Sequence, residues 1–300
     1  MVSQTINGVS FQMKEARDFS FLQRYGQVFC VFDQNDSGNI SFGVDNGKEK
    51  HFIKVAGAKT AQSCADPRQA AETLKEAVPV YTELAYPNLI QLVEHFAADG
   101  LYVAVFKWAD GDCLFDHWNF ETYKANAELS PGERFKKLPR EKRLRAVDAI
   151  FDFLTFTEAK GYVAVDFYDG SILYDFQRDV VTICDIDFFS KTPYFNDAGE
   201  DYWGTKRFKA PEEYRKGARI DTVTNVFTLG ALLCHFFGGY TDAEISVMYQ
   251  KNAFFPCRYE TWELSESLYQ VTLKAVERDR ANRFDSMRAF REVWRANTRD

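Results

Sequence analysis

The chain has 300 residues, 46% of them hydrophobic, which is enough for one two-lobed enzyme or two small domains with a substantial core. The net charge of −7 gives no footprint for a nucleic-acid partner, and the six cysteines lack the spacing of a zinc site or a disulfide framework. The longest apolar stretch, residues 226–240, is too short to span a bilayer, and no charged and apolar leader opens the chain. We therefore expect a soluble, cytoplasmic protein with no membrane or nucleic-acid partner, and the oligomeric state is left open.

The first third of the sequence predicts a small antiparallel sheet with one helix. Runs of aromatic and β-branched residues, separated by turn residues, predict five strands. These cover residues 25–32, 40–44, 51–55, 89–96 and 101–106. Asp66 followed by Pro67 predicts a capped helix start, and this helix should run towards Leu84 with a kink or an interruption at Pro79.

Beyond Gly111 the pattern becomes mainly helical. The clearest helix covers residues 140–160, where apolar residues recur at helical spacing and Gly161 supplies a stop. This change of character predicts two domains, residues 1–107 with the sheet and residues 108–300 with the helices. The hinge between them should lie near Lys107 and Trp108.

Three segments of the second domain carry acidic residues whose order and intervals form a pattern. Asp166 lies in a polar loop, Asp185 ends a β-branched strand, and residues 204–213 read Gly-Thr-Lys-Arg-Phe-Lys-Ala-Pro-Glu-Glu. Their order and intervals resemble the catalytic loop, the metal-binding strand and the end of the activation segment of protein kinases. The resemblance covers about residues 25–295. It implies a divergent member of the eukaryotic-like serine/threonine protein kinase family.

The resemblance implies an α+β, two-lobed protein-kinase-like fold. Its small N-terminal lobe would hold an antiparallel five-stranded sheet with one helix, and its larger C-terminal lobe would be mainly helical. Three residues take implied catalytic roles. Asp166 would orient the acceptor hydroxyl and Lys54 would hold the α- and β-phosphates of ATP, while Glu76, or alternatively Glu72, would pair with Lys54.

ATP and Mg²⁺ are the implied cofactors. Asp185 would bind Mg²⁺, and Ser171 stands where the family carries an asparagine ligand, with Asp169 as a rival oxygen nearby. The phosphate-covering loop would correspond to residues 33–40, in which most of the family's glycines are absent. Further nucleotide contacts are implied for Gly38, Ile40, Phe106, Trp108 and Leu173.

Other matches concern the architecture of the larger lobe. Asn225 stands for the family's aspartate that hydrogen-bonds the catalytic-loop backbone, and a buried Glu212 should pair with Arg283. Thr205 should lie near the catalytic aspartate. Val165 replaces the arginine that reads a phosphorylated activation segment, so the order of this segment would have to come from apolar packing.

The expected reaction is phosphoryl transfer to a Ser/Thr hydroxyl of a protein substrate, and two alternatives stay open. A pseudokinase that acts as a binding or scaffold module is suggested by Phe52 in place of a small residue over the adenine, by Ser171 and by the degenerate glycine loop. An aminoglycoside-type small-molecule phosphotransferase is suggested by Asp187 in place of a glycine. Residues 204–212 argue against this last class.

Overall fold

The computed structural model describes residues 1–34, 38–63, 65–116 and 119–298. The chain divides into two compact units, Met1–Asp110 and Gly111–Asp300. Strands and helices occur in both units, and every strand pairing among the described residues is antiparallel. The predicted α+β class is confirmed.

The first unit is built on one sheet. Each segment that the sequence analysis expected to be extended is a strand, with small shifts at the ends. The strands are Gln27–Phe32 (β3), Asn39–Asp45 (β4), Lys50–Ala56 (β5), Leu92–Ala98 (β6) and Leu101–Lys107 (β7). Their spatial order is β3-β4-β5-β7-β6.

A further hairpin precedes this sheet, and the sequence analysis did not predict it. It pairs Val2–Ile6 (β1) with Val9–Met13 (β2). Its two turn residues, Asn7 and Gly8, have φ values of 50° and 85°. These angles match the type I′ turn, for which Asn-Gly is the strongest short-range signal, so the hairpin could have been found from that dipeptide.

The two faces of the sheet have different neighbours. One face packs against the hairpin in a core that includes Phe11, Met13, Ile40, Phe42, Val44, Ile53, Val55, Val103 and Val105. Because side chains alternate along a strand, Lys54 lies on the other face. There the helix Pro67–Glu83 (α1) packs against the sheet, and the rings of Tyr81 and Phe106 lie 4.8 Å apart.

The start of α1 is as predicted, and the helix runs towards Leu84 as expected. The Asp66 side chain accepts a hydrogen bond of 2.8 Å from the backbone N–H of Arg68, and Pro67 occupies the first turn. The helix continues through Pro79, so of the two predicted effects of this proline an interruption does not occur, and a kink stays a prediction. Pro79 is exposed, and the carbonyl of Lys75 that loses its partner can therefore bond to water.

The second unit is mainly helical. Its α-helices are Phe120–Ala125 (α2), Pro131–Lys136 (α3), Arg140–Ala159 (α4), Thr222–Phe237 (α5), Asp242–Lys251 (α6), Glu266–Ala275 (α7) and Met287–Asn297 (α8). Its short strands are Asp112–Cys113 (β8), Tyr162–Val163 (β9), Ile172–Asp175 (β10), Val180–Ile183 (β11), Ser190–Lys191 (β12), Tyr194–Phe195 (β13) and Arg219–Ile220 (β14). The predicted helix at residues 140–160 is confirmed.

Helix α5 runs through the core of this unit and is buried on almost all sides. Asp221 caps its first turn by accepting a hydrogen bond of 3.0 Å from the N–H of Val223. Within the described part of the chain, no helix combines the length and the apolar character needed to cross a membrane.

A buried ion network joins the Ala-Pro-Glu triplet to the connection between α7 and α8. The Arg283 guanidinium meets both carboxylate oxygens of Glu212, at 2.8 and 3.0 Å, which confirms the predicted pair. Arg280, which was not predicted, lies 2.7 Å from Glu212 and 2.6 Å from Asp221. Burial opposes ionisation of Glu212, but the bonds and charges of the two arginines outweigh it and lower its pKa.

We expect Glu212→Ala to lower the free energy of unfolding by about 3–5 kcal/mol, because it leaves a buried arginine without its carboxylate. Urea unfolding measures this change, with Glu292→Ala on the exposed face of α8 as the control. A double-mutant cycle with Arg283→Ala should give a large coupling energy. A coupling energy of zero would contradict the pairing.

Candidate active site

Strands β10 and β11 bring Ser171 close to Asp185. They pair with Ile172 opposite Ile183, and the backbone N–H of Cys184 donates a hydrogen bond of 2.9 Å to the Ser171 carbonyl. Asp185 follows Cys184 directly. The two residues expected to bind Mg²⁺ therefore lie at the same end of one hairpin.

The oxygens at this position suit a magnesium–nucleotide site. The Ser171 hydroxyl is fully buried and has no hydrogen-bond partner among the described residues, whereas Asp185 is exposed. Ten other buried side-chain atoms of the described residues also lack a partner, so the Ser171 hydroxyl is available to a ligand but does not by itself indicate one. Mg²⁺ typically takes one or two protein oxygens and completes its shell with phosphates and water. No group of three or more His, Cys, Asp or Glu in the described ranges could hold a metal by itself.

Asp169 is paired with another side chain, which argues against its expected role as a rival metal ligand. It is buried, and its carboxylate lies 2.8 Å from the guanidinium of Arg207 and 3.6 Å from Nε2 of His235. Burial raises the pKa of Asp169, against the opposing charge of Arg207, and lowers the pKa of His235 well below its usual value. The imidazole is therefore neutral, and only Arg207 forms an ion pair with Asp169.

Asp166 and Asp185, which have expected roles in catalysis and metal binding, both have left-handed backbone conformations. The φ angles are 59° at Asp166 and 54° at Asp185. The other described non-glycine residues with positive φ lie at hairpin turns or at a helix end, namely Asn7, Asp99, Asp179 and Asn252. Aspartate tolerates this region at a modest cost, and such cost is concentrated at functional sites.

One side chain of α5 fixes the loop that carries Asp166. The Asn225 amide accepts a hydrogen bond of 2.8 Å from the N–H of Ala164 and donates one of 2.8 Å to the carbonyl of the same residue. The expected contact between Asn225 and the loop backbone is confirmed. Residues 164–171, which we call the Asp166 loop, are thus anchored to a buried helix.

Tyr168 was missed by the sequence analysis and lies near both acidic residues. Burial, followed by the charges of Asp185 and Asp166, raises the pKa of its phenol. Gly170 allows the ring to fold back over the loop, because a Cβ atom there would come 2.3 Å from the Tyr168 ring. The Tyr168 hydroxyl is therefore a neutral donor beside the two aspartates.

Residues 204–213, which we call the anchor segment, form a small cleft with the Asp166 loop. Asp166, Thr205, Lys209 and Glu213 all line it, so Thr205 lies near Asp166 as expected. The ammonium of Lys209 donates to the carbonyls of Glu200, at 3.2 Å, and Tyr202. No local sequence pattern signals that Lys209 and Glu213 should be buried beside Asp166.

Burial controls the ionisation of Lys209 and Glu213. It raises the pKa of Glu213 to about 8, even though the carboxyl accepts a hydrogen bond of 2.6 Å from the N–H of Ala210. It also lowers the pKa of Lys209. Both shifts favour the neutral form, so desolvation outweighs the attraction between the two groups.

Apolar packing orders the chain between Asp185 and the anchor segment. Val165 is buried with Val163, Tyr202 and Ile220, and Phe188 and Tyr194 pack against this cluster. Phe189 is buried as well, and the rings of Phe188 and Trp203 stack at 4.3 Å. Aromatic side chains thus supply much of the apolar packing expected for this segment, although Phe195 and Trp203 are 51% and 49% exposed.

In the first unit, Lys54 lies among aromatic rings. It is buried in β5, between Ser41 of β4 and Ala104 of β7. Phe52 and Phe106 are paired on the same face, with ring centroids 6.3 Å apart, and the Phe32 ring lies 6.0 Å from Phe52. The Lys54 face therefore combines a cation with flat apolar surfaces.

The expected nucleotide contact of Ile40 needs correction. Its side chain is fully buried in the core beneath the hairpin, on the face opposite Lys54. Ser41 and Gly43 occupy the corresponding positions on the Lys54 face. Gly38 has a φ of 83° and lies against Ser63, and its phosphate contact stays a prediction. Residues 35–37 of the expected phosphate-covering loop lie outside the described residues.

Four more candidates have defined positions, and their roles stay predictions. Trp108 is half-buried and lies over Gly43 on the Lys54 face. Leu173 is half-buried in β10. Glu76 is exposed on α1, and Glu72, also exposed, lies 3.2 Å from Lys75.

A scan against models of protein families and a search of curated proteins found no match for this chain. What the chain does is therefore inferred from its own residues.

The raised pKa of Glu213 predicts a pH-dependent stability. Between its ordinary value of 4.5 and about 8, the folded protein keeps a proton that the unfolded chain has lost. The free energy of unfolding should therefore fall as the pH rises, by at most about 1.4 kcal/mol per pH unit from this group.

We expect Glu213→Gln to remove this slope while preserving the bond from Ala210. Urea unfolding of both proteins at pH 5, 6, 7 and 8 gives the comparison, and exposed Glu292→Gln is the control. Parallel curves for the wild type and Glu213→Gln would show that Glu213 is ionised in the folded protein.

Proposed function

We propose that this protein is an ATP- and Mg²⁺-dependent phosphotransferase of the protein-kinase type, which acts on Ser/Thr hydroxyls of protein substrates. The observation that supports this most is the double hydrogen bond of Asn225 to Ala164. It anchors a loop that has Asp166 at one end and the uncommitted hydroxyl of Ser171 at the other. Two-lobed kinases need this combination of an acceptor-orienting carboxylate and metal oxygens.

Each residue has a role that its surroundings support. Asp166 lines a cleft with Thr205, and its carboxylate accepts a hydrogen bond from the acceptor hydroxyl and then takes its proton. Asp185 and Ser171 offer oxygens to Mg²⁺, which when bound neutralises phosphate charge. Lys54 offers a cation for the phosphates of ATP.

The most direct test of this function is incubation with labelled ATP, Mg²⁺ and a generic protein substrate. We expect the wild type to transfer label, and Asp166→Asn to reduce the rate by about 10²–10⁴-fold, because a positioned base is lost. Asparagine is well suited to the φ of 59° at this position, so the loop should keep its shape. Equal rates for both proteins would contradict the role of Asp166.

Asp185→Asn should abolish the thermal stabilisation by Mg-ATP and leave the melting temperature of the free protein nearly unchanged. The carboxylate is exposed, so its loss affects the metal more than the core. Asp242→Asn at the exposed start of α6 is the matched control. An undiminished shift with Mg-ATP in Asp185→Asn would refute the metal assignment.

A non-catalytic binding module is the second candidate, and the rings of Phe32, Phe52 and Phe106 on the Lys54 face favour it. If these rings close the adenine site, calorimetry should detect no binding of Mg-ATP to the wild type. Phe52→Ala should then create binding. Micromolar binding by the wild type would instead support the enzyme.

A further inference from the structure

A buried ion pair joins the Asp166 loop to the anchor segment. Arg207 belongs to the anchor segment, and its Nη2 lies 2.8 Å from Oδ1 of Asp169. The side chains of Asp169 and Arg207 are 2% and 14% exposed. Asp169 opens the single 3₁₀ turn that ends at Ser171, three residues after Asp166.

The surroundings hold the guanidinium in one place. Its central carbon lies 4.5 Å from the centre of the Phe115 ring and 4.7 Å from that of Phe208, so it contacts two aromatic rings. Such contacts are stronger when water is excluded. Nε2 of His235, a residue of α5, lies 3.6 Å from the other carboxylate oxygen of Asp169. Helix α5 thus supports both ends of the loop, since Asn225 binds Ala164.

The location of this pair has a consequence for the loop. Each of the two buried charges needs the other as its counter-ion, because an unpaired buried charge is strongly unfavourable. Loss of Arg207 would leave the Asp169 carboxylate without its counter-ion and remove the bond that joins the loop to the anchor segment, which frees the loop to move. Asp166 and Ser171 would move with it.

We infer that Arg207 is a positioning residue, which holds Asp166 and Ser171 in place through Asp169 and orders the anchor segment without a phosphate. This inference rests on the proposed function and concerns its regulation. The cation lies on the segment and the carboxylate on the loop. Val165, buried among apolar side chains, has no charge with which to bind a phosphate. The order of the segment is therefore built into the sequence.

Hydrogen exchange tests this arrangement without any need for activity. We expect Arg207→Gln and Asp169→Asn each to speed exchange of the amides in residues 164–171 and 200–208 by at least about tenfold. The double variant should exchange no faster than the single variant with the faster exchange, because the two residues act as a pair. Lys206→Gln, a change to an exposed neighbour, should have no effect.

Unchanged exchange in both single variants would overturn the inference, and so would fully additive effects in the double variant. If Arg207→Gln does not fold, Arg207→Lys replaces it. The lysine keeps the charge but not the planar group, so it should protect the loop better than glutamine but less well than arginine. Equal protection by arginine and lysine would mean that charge alone matters and that the ring contacts do not position the loop.

Kinetics then separates positioning from substrate binding. In Arg207→Gln, kcat should fall by about tenfold or more while the KM for ATP stays nearly constant. Wild type treated with phosphatase, and shown by mass spectrometry to be unmodified at residues 188–205, should keep its full rate. A large loss that returns on rephosphorylation would overturn the inference. If the wild type transfers no phosphate at all, the proposed function fails, and hydrogen exchange still decides the role of Arg207.

Discussion

The double hydrogen bond between Asn225 and Ala164 is the constraint on which the candidate site depends. Both backbone groups of a buried residue need partners, and one amide side chain supplies a donor and an acceptor at once. Because Asn225 lies on a buried helix, its two hydrogen bonds fix the Asp166 loop to the core. A site whose groups must be held within fractions of an ångström benefits from such support.

Buried charge is handled in three different ways along the anchor segment. Glu212 is ionised between two arginines, whereas Glu213 keeps its proton. Arg207 reaches out of the segment to the carboxylate of Asp169. Each arrangement fixes a different backbone position, since moving Glu212 or Arg207 would strand a charge and moving Glu213 would break its hydrogen bond with Ala210. The segment is thus held by electrostatics as well as by the aromatic packing around Val165.

The sequence was most informative where local chemistry or motif spacing determines the outcome. The strands of the first unit, the Asp66 cap, the Asn225 contact and the Glu212–Arg283 pair could all be predicted in this way. The hairpin at residues 2–13 could have been predicted as well, since Asn7-Gly8 is a strong turn signal.

Other features depend on contacts that no local pattern encodes. The face on which Ile40 lies depends on strand register, since a shift of one residue moves a side chain to the opposite face of the sheet. The pair of Arg207 and Asp169 joins residues that are 38 positions apart and carry no mutual signal in the sequence. The burial of Lys209 and Glu213 likewise follows only from the packing of the anchor segment against the loop.

The central claim is that the Asp166 loop directs a phosphoryl group to a protein hydroxyl, and the fate of that group tests it most directly. A single-turnover reaction with Mg-ATP and a protein substrate can be stopped, and ADP, free phosphate and phosphorylated residues measured in the same sample. The account predicts that phosphoserine and phosphothreonine together equal the ADP formed. Free phosphate in place of phosphorylated residues, or no ADP at all, would contradict it.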